Sequence, residues 1–176
     1  TMGVLNVTPD SFSDGGKFNR LDLAVKHIYS MVENGADIID IGGESTKPGS
    51  DPVSTDEELN RVIPIINEVK KTSNDILISV DTYKSVVAEE AIKAGADIIN
   101  DISGLAFDVD MAPLLAKNDI PIIIMHIQGK PKTMQQNISY NDLINDIKQY
   151  FKNRCDYAIK SGIKKNNIIL DPGIGF

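Results

Sequence analysis

Six short runs of β-branched and aliphatic residues punctuate the chain, and few of them alternate polar with apolar positions. They are Val4–Val7, Ile38–Ile41, Ile76–Val80, Ile98–Asn100, Ile122–Met125 and Ile168–Leu170. A strand that is apolar on both sides of its pleat is covered on both faces, which is how parallel strands flanked by helices read. The intervening segments supply those helices. Ala24, Ile28, Met31 and Val32 fall at i, i+4, i+7 and i+8 before Gly35. Val62, Ile65, Ile66 and Val69 repeat the stripe, as do Val87, Ala91 and Ile92 before Gly95. Glycine just past such a stripe ends a helix, because it accepts the left-handed backbone found there. A further stripe of Leu143, Ile147, Tyr150 and Phe151 predicts a long helix near residues 140–160, closed by Gly162.

Strand alternating with helix in this way predicts a parallel sheet with right-handed crossovers. A short internal echo supports a regular arrangement. Gly-Ala-Asp-Ile-Ile-Asp at 35–40 returns as Gly-Ala-Asp-Ile-Ile-Asn at 95–100, an offset of 60 residues. That spacing equals about two βα units of about 30 residues each, and reuse of one helix-end-to-strand solution accounts for it. The expected fold class is α/β, a (β/α)8 TIM barrel of which about six βα units fall in a single domain over residues 1–176. A whole barrel takes about 250 residues, so the expectation is a piece of a longer barrel, cut at its C-terminal end.

Composition narrows the function classes. Hydrophobic residues make up 41% and charged residues 24%, as in globular domains and unlike disordered chains. Lys plus Arg number 18 against 25 Asp plus Glu, a net charge of −7, which argues against a nucleic-acid surface. The single cysteine excludes an internal disulfide framework and a Cys-rich zinc module, and it suits a reducing, cytoplasmic setting. No apolar run approaches the roughly 18 residues of a membrane span, and no signal peptide pattern opens the chain.

Polar residues gather just after the apolar runs. Asn6 follows the first, Gly42-Gly43-Glu44-Ser45-Thr46-Lys47-Pro48-Gly49 the second, and Asp81-Thr82 the third. Asn100-Asp101, His126 and Asp171-Pro172-Gly173 follow the fourth, fifth and sixth. In a parallel barrel the carboxyl ends of all strands open on one face, so Asn6, Asp81, Asn100 and Asp171 converge. Carboxylates accept hydrogen bonds and amides both give and accept them, which suits the N–H-rich edge of a flat heterocycle such as a 2-amino-4-oxo pyrimidine ring. The plainer reading of Asp81 and Asp171 taken singly is helix or turn capping. The segments 11–16 and 42–50 are longer and richer in Gly, Ser and Pro than ordinary βα turns, which suits lids over a barrel mouth. His126 reads either as a general base or ligand or as a structural histidine. Cys155 stands in a helical stretch without a His partner and reads as inert.

The run Gly3-Val4-Leu5-Asn6-Val7-Thr8-Pro9-Asp10-Ser11-Phe12-Ser13-Asp14-Gly15-Gly16 resembles the N-terminal signature of the dihydropteroate synthases. Asp40-Ile41-Gly42-Gly43-Glu44-Ser45-Thr46-Lys47-Pro48-Gly49 resembles their second signature. Ile78-Ser79-Val80-Asp81-Thr82, Ile98-Ile99-Asn100-Asp101, the Met125–Pro131 segment and Leu170-Asp171-Pro172-Gly173 follow in family order. The resemblance implies a transferase of folate synthesis, the target of sulfonamides. It would join 6-hydroxymethyl-7,8-dihydropterin pyrophosphate to p-aminobenzoate, releasing pyrophosphate. It implies that Asp81, Asn100 and Asp171 bind the pterin ring, with Ile102, Met125 and Phe176 packed on it. Asp81 would also stabilise the charge that develops during reaction. Thr46, Lys47 and Pro48, with Phe12 and Ser13, would form the loops over the pterin diphosphate and p-aminobenzoate. Asn6 would contact Mg2+ carried by the pyrophosphate. The full-length protein is expected to be a homodimer, with neither nucleic acid nor membrane as partner.

Two features depart from the family pattern. Lys47 stands where Arg is usual, which keeps the charge but loses the bidentate fork. The Ser-Arg-Lys and Arg-x-His segments that follow the family's seventh and eighth strands have no counterpart in these 176 residues, so a protein of this extent alone is expected to be inactive. Two other classes stay open: a methyltransferase domain that binds methyltetrahydrofolate and passes its methyl group to a corrinoid, and a non-catalytic pterin-binding module. The first has no need of the two long loop signatures. Turnover with p-aminobenzoate, compared with methyl transfer to cobalamin, separates them.

Overall fold

Each of the six apolar runs forms a strand in the computed structural model, which describes residues 1–7, 17–47, 49–136 and 138–175, with the backbone alone over 17–20. The strands are β1 (Met2–Asn6), β2 (Ile38–Gly42), β3 (Leu77–Asp81), β4 (Ile98–Asp101), β5 (Ile122–Met125) and β6 (Ile168–Asp171). Between them lie α1 (Lys17–Glu33), α2 (Thr55–Thr72), α3 (Ser85–Ala94), α4 (Met111–Asn118) and α5 (Leu143–Lys160). All neighbouring strands are parallel and their order is sequential, β1-β2-β3-β4-β5-β6, the βα sequence expected of barrel units.

Several bounds move by a few residues from the sequence reading, and the causes are local. Helix α5 begins at Leu143 rather than near 140 because the Asp142 side chain accepts the N–H of Asn145 and caps it there. Strands β3 and β4 run on to Asp81 and Asp101, since ladder pairing with a neighbour continues past the last apolar residue. Helix α4 left no regular stripe to read. It has eight residues, with Pro113 in its first turn, and only Met111, Ala112 and Leu115 are buried.

Side-chain alternation divides the sheet into two faces. Leu5, Ile39, Ile41, Ile78, Val80, Ile99, Ile122 and Ile124 belong to the main core, where they meet Ala24 and Ile28 of α1, Val62, Ile66 and Val69 of α2, and Ala88 and Ala91 of α3. The opposite, inward row reads Val4 and Asn6, Asp40 and Gly42, Ser79 and Asp81, Ile98 and Asn100, Ile123 and Met125, then Ile169 and Asp171. Where the strands begin, the sheet is stapled for stability. Lys70 of α2 donates to Asp97 (2.8 Å) and to the Ile76 carbonyl (3.0 Å), while Asp97 accepts the Ile78 N–H (2.9 Å).

Candidate functional site

The carboxyl ends of the strands carry the chemistry. Register puts Asn6 beside Gly42, Gly42 beside Asp81, and Asp81 beside Asn100, so one row crosses four strands at one height. Asp171 is level with Met125 in the same inward row. Gly42 keeps the row open: a Cβ there would lie 3.3 Å from Asn6 Oδ1 and 3.6 Å from the Asp81 carboxylate. Four of the residues named from sequence, Asn6, Asp81, Asn100 and Asp171, thus share a face, as do Ile102 and Met125, which form a small apolar cluster with Ile127 and Met134, backed by Tyr83. Phe12, Ser13, Pro48 and Phe176 lie outside the described residues.

Asp81 is the most perturbed group of the row. Burial raises its pKa well above the usual carboxylate range, and the charges of Asp40, Glu58, Asp101 and Glu44 raise it further. It does not cap α3, whose N-cap residue is Lys84. Asp171 does cap a turn, its Oδ1 accepting the Gly173 N–H at 2.9 Å, which leaves Oδ2 uncommitted within the described residues. Gly173 has φ +67°, and a Cβ there would overlap the His126 carbonyl, so the turn that presents Asp171 requires glycine. Asp101 is spent on structure: it is fully buried and accepts the N–H groups of Ser103 (2.8 Å) and Leu105 (3.0 Å).

An ionic knot that sequence reading missed anchors the loop after β2. Lys84 donates to Glu44 (2.7 Å), Glu58 (2.5 Å) and the Val53 carbonyl (2.8 Å). Glu44 also accepts from Tyr83 Oη (2.7 Å) and the Val53 N–H (3.0 Å), which closes residues 44–53 into a ring. Burial works against the Lys84 charge, but hydrogen bonds and attraction from Glu44 and Glu58 outweigh it and raise its pKa. Glu58 sits on the buried stripe of an amphipathic helix, where a charge ordinarily reads as solvated, and its partner is 26 residues away. Gly43 lets this loop press on α2, since a Cβ would come within 2.9 Å of Glu58 Cγ.

Within the loop, Thr46 is half-buried and Lys47 is exposed. Ser50 Oγ donates to the Lys47 carbonyl at 2.8 Å and rounds the turn. The Gly49 N–H reaches the Pro131 carbonyl (3.3 Å) and Lys132 pairs with Asp51 (2.7 Å), tying this loop to the one after β5. Exposed pairs of that kind contribute little to stability.

His126 packs edge-on against Tyr150 with 4.8 Å between ring centroids, and burial lowers its pKa. This environment favours the structural reading of that histidine. Burial raises the Cys155 thiol above its usual pKa, which suits an inert side chain. Among the described residues, no group of three His, Cys, Asp or Glu side chains could hold a metal ion, and no helix is long and apolar enough to cross a membrane.

The chain is similar to known proteins over nearly its whole length. A family model described as pterin binding enzyme matches residues 2–176. Dihydropteroate synthase of Clostridium beijerinckii is 54% identical over 175 residues, covering 99% of this chain and 62% of that protein. A crystal structure of the Yersinia pestis dihydropteroate synthase in complex with a sulfonamide drug superposes with a TM-score of 0.91 at 47% identity, over 99% of this chain and 63% of that one. The Xanthomonas albilineans dihydropteroate synthase with 4-aminobenzoic acid superposes at 0.90 and 39% identity, over 99% and 61%. The chain therefore spans about three fifths of the length of these relatives.

Proposed function

The chain belongs to the pterin-binding enzyme family, and from that premise we propose that it forms the pterin-binding part of a dihydropteroate synthase. In the reaction proposed, the amine nitrogen of p-aminobenzoate attacks the methylene carbon of 6-hydroxymethyl-7,8-dihydropterin pyrophosphate. The carbon–oxygen bond to pyrophosphate breaks, the leaving group takes the electron pair, and the amine proton is lost to solvent or to the departing phosphate.

What supports this reading is the inward row of Asp81, Asn100 and Asp171, three acceptor-bearing side chains on one face of a parallel sheet. Such a row suits the adjacent N–H donors of a 2-amino-4-oxo pterin edge. Ile102 and Met125 supply an apolar wall beside it. Positive charge that develops on the methylene is stabilised by a carboxylate held where it forms. Asp81 suits this role, because burial and acidic neighbours disfavour its charge in the free protein, and N–H donors of a bound pterin and then the developing cation favour it. The arylamine is a neutral nucleophile, so the step makes no demand on a histidine base.

Mg2+ fits as an ion carried by the pyrophosphate rather than as a resident one. Magnesium prefers a few protein oxygens together with phosphate and water, and Asn6 offers one exposed amide oxygen at the rim of the row. When bound, the ion would neutralise charge on the leaving group. Thr46 and Lys47 stand on the loop that would cover the diphosphate and p-aminobenzoate. Phe12, Ser13, Pro48 and Phe176 keep the roles that the family resemblance implies for them. A cytoplasmic setting and a homodimer complete the proposal, and fractionation and mass measurement of the full-length protein test those two points.

Turnover of the full-length protein with the two substrates is the direct test. Dihydropteroate formation supports the proposal, and methyl transfer to cobalamin without dihydropteroate would replace it.

A further inference from the structure

The interior of a βα barrel is ordinarily filled by branched aliphatic side chains. Beneath the row of the candidate site, two positions break that rule. Asp40 on β2 and Ser79 on β3 are register partners, one step below the row of Gly42, Asp81 and Asn100. Asp40 is 5% exposed and Ser79 is wholly buried. The Asp40 Oδ2 atom accepts the side-chain N–H of Asn100 at 3.1 Å, while Asp40 Oδ1, Ser79 Oγ and Asn100 Oδ1 make no hydrogen bond of good geometry, the Ser79 hydroxyl lying only near enough to Asp40 to favour its charge. Three of the four buried orphan polar atoms among the described residues thus fall in this one cluster. Buried polar groups are nearly always paired, and each orphan disfavours the folded state. An arrangement that packing does not favour, set directly beneath the candidate site, points to a ligand.

We propose that Asp40 is a positioning and specificity residue that fixes which way the Asn100 amide faces. This rests on the pterin reading of the row above. An amide has one donating and one accepting end, and a carboxylate oxygen can meet only the donating end. With Asp40 Oδ2 holding the Asn100 nitrogen, the accepting Oδ1 is turned away from Asp40. Beside Asp81, also an acceptor, Asn100 then offers a second acceptor to the ligand. Two neighbouring acceptors select a ring edge with two neighbouring N–H donors and reject a ring that carries an oxo group in place of the exocyclic amine. Without Asp40 the amide can turn over, and it then satisfies the oxo ring nearly as well.

The test compares Asp40→Asn, Asp40→Val and, as a control, Ser79→Ala in the full-length protein. Calorimetry reads the affinity of each for 6-hydroxymethylpterin and for its 2-oxo analogue, and thermal melting reads the fold. Loss of one well-placed hydrogen bond weakens the pterin about tenfold. The expected result is that loss in Asp40→Val, a smaller one in Asp40→Asn, whose carbonyl still accepts the Asn100 amide, and a lowered preference for pterin over the oxo ring in both. Melting temperature is unchanged or raised, because a buried carboxylate no longer has to be desolvated. Ser79→Ala keeps the wild-type preference. If Asp40→Val does not fold, the preference measured in Asp40→Asn decides. Equal weakening of both ligands, with a lowered melting temperature, would show that Asp40 serves only the fold and would overturn the proposal while leaving the pterin reading intact. Failure of the unaltered protein to bind 6-hydroxymethylpterin would overturn both.

Discussion

Ile123 on β5 and Ile169 on β6 are register partners in the same inward row, yet the first is 6% exposed and the second 44%. That pair captures the difference between the middle of the sheet and its margins. Strands β2 to β5 are each flanked by a paired strand on both sides, and most of their residues are buried. Among the described residues of a chain that spans about three fifths of its relatives' length, strands β1 and β6 have one paired neighbour each, and Val4, Ile169 and Leu170 are exposed. The candidate site straddles both environments. Asp81 and Asn100 come from the middle and Asn6 and Asp171 from the margins. In the middle, burial and crowding change what a carboxylate is, so Asp81 carries an altered pKa and the interior residues around it constrain one another. At the margins, Asn6 is exposed and Asp171 half-buried at the ends of their strands, so their chemistry depends on what the ligand brings.

The contrast fails most visibly if truncation matters equally at the two isoleucines. In the 176-residue chain, Ile123→Ala is expected to lower stability by about 2–5 kcal/mol, as filled core positions do, and Ile169→Ala by less than about 1 kcal/mol. Equilibrium denaturant unfolding measures both. Equal losses would show that the margin is as well packed as the middle.

A comparable effect is expected on chemistry from the middle of the row. Asp81→Asn in the full-length protein should reduce kcat by about 100- to 1,000-fold while weakening pterin binding much less, as expected for a group that acts on charge developed during reaction. Steady-state kinetics beside calorimetry separates the two. A parallel fall in both would make Asp81 a ring anchor only.

From the margin, Asp171→Asn should act on binding. Its free oxygen accepts an N–H donor of the pterin, and an amide nitrogen turned to that donor leaves the buried donor unpaired. The cost is about 1–3 kcal/mol, or about 5- to 150-fold in pterin affinity, with p-aminobenzoate binding little changed. Unchanged pterin affinity would remove Asp171 from the site.

The smallest expected effect is on stability against pH. The folded-state pKa values of Asp40 and Asp81 lie above the ordinary carboxylate range. For a group raised in this way, stability is full below the unfolded pKa of about 4 and is lost as pH rises through the folded value. Asp81→Asn should therefore melt higher than the parent near neutral pH, with the gain shrinking toward about pH 4. A constant difference across that window would mean that desolvation of Asp81 is not the cause.

Much of this architecture is legible in residue order, because a doubly covered parallel strand has few ways to be written. The runs at Ile38–Ile41 and Ile122–Met125 needed only the absence of alternation. The positions of Asn6, Asp81, Asn100 and Asp171 follow from the rule that barrel chemistry sits where strands end. What stayed hidden depends on the third dimension. Glu58 reads as a solvated charge on an amphipathic helix, and its pairing with Lys84 across 26 residues has no local mark. Asp101 looks as suited to a ligand as Asn100, yet the tight turn at Ser103 and Leu105 consumes both of its oxygens. Asp40 and Ser79 did leave a trace: each is a polar residue in the middle of a strand, at an inward position flanked by apolar residues.

The central claim is that the inward row of Asp81, Asn100 and Asp171 receives the donor edge of a pterin and that Asp81 regains its charge there. Calorimetric titration of 6-hydroxymethyl-7,8-dihydropterin pyrophosphate into the full-length protein, repeated in buffers of different ionisation heat between about pH 5 and 8, counts the protons exchanged on binding. The account predicts net proton release, largest where Asp81 of the free protein is still protonated and lost in Asp81→Asn. Binding without proton release, or with release that the Asp81→Asn variant retains in full, would contradict it.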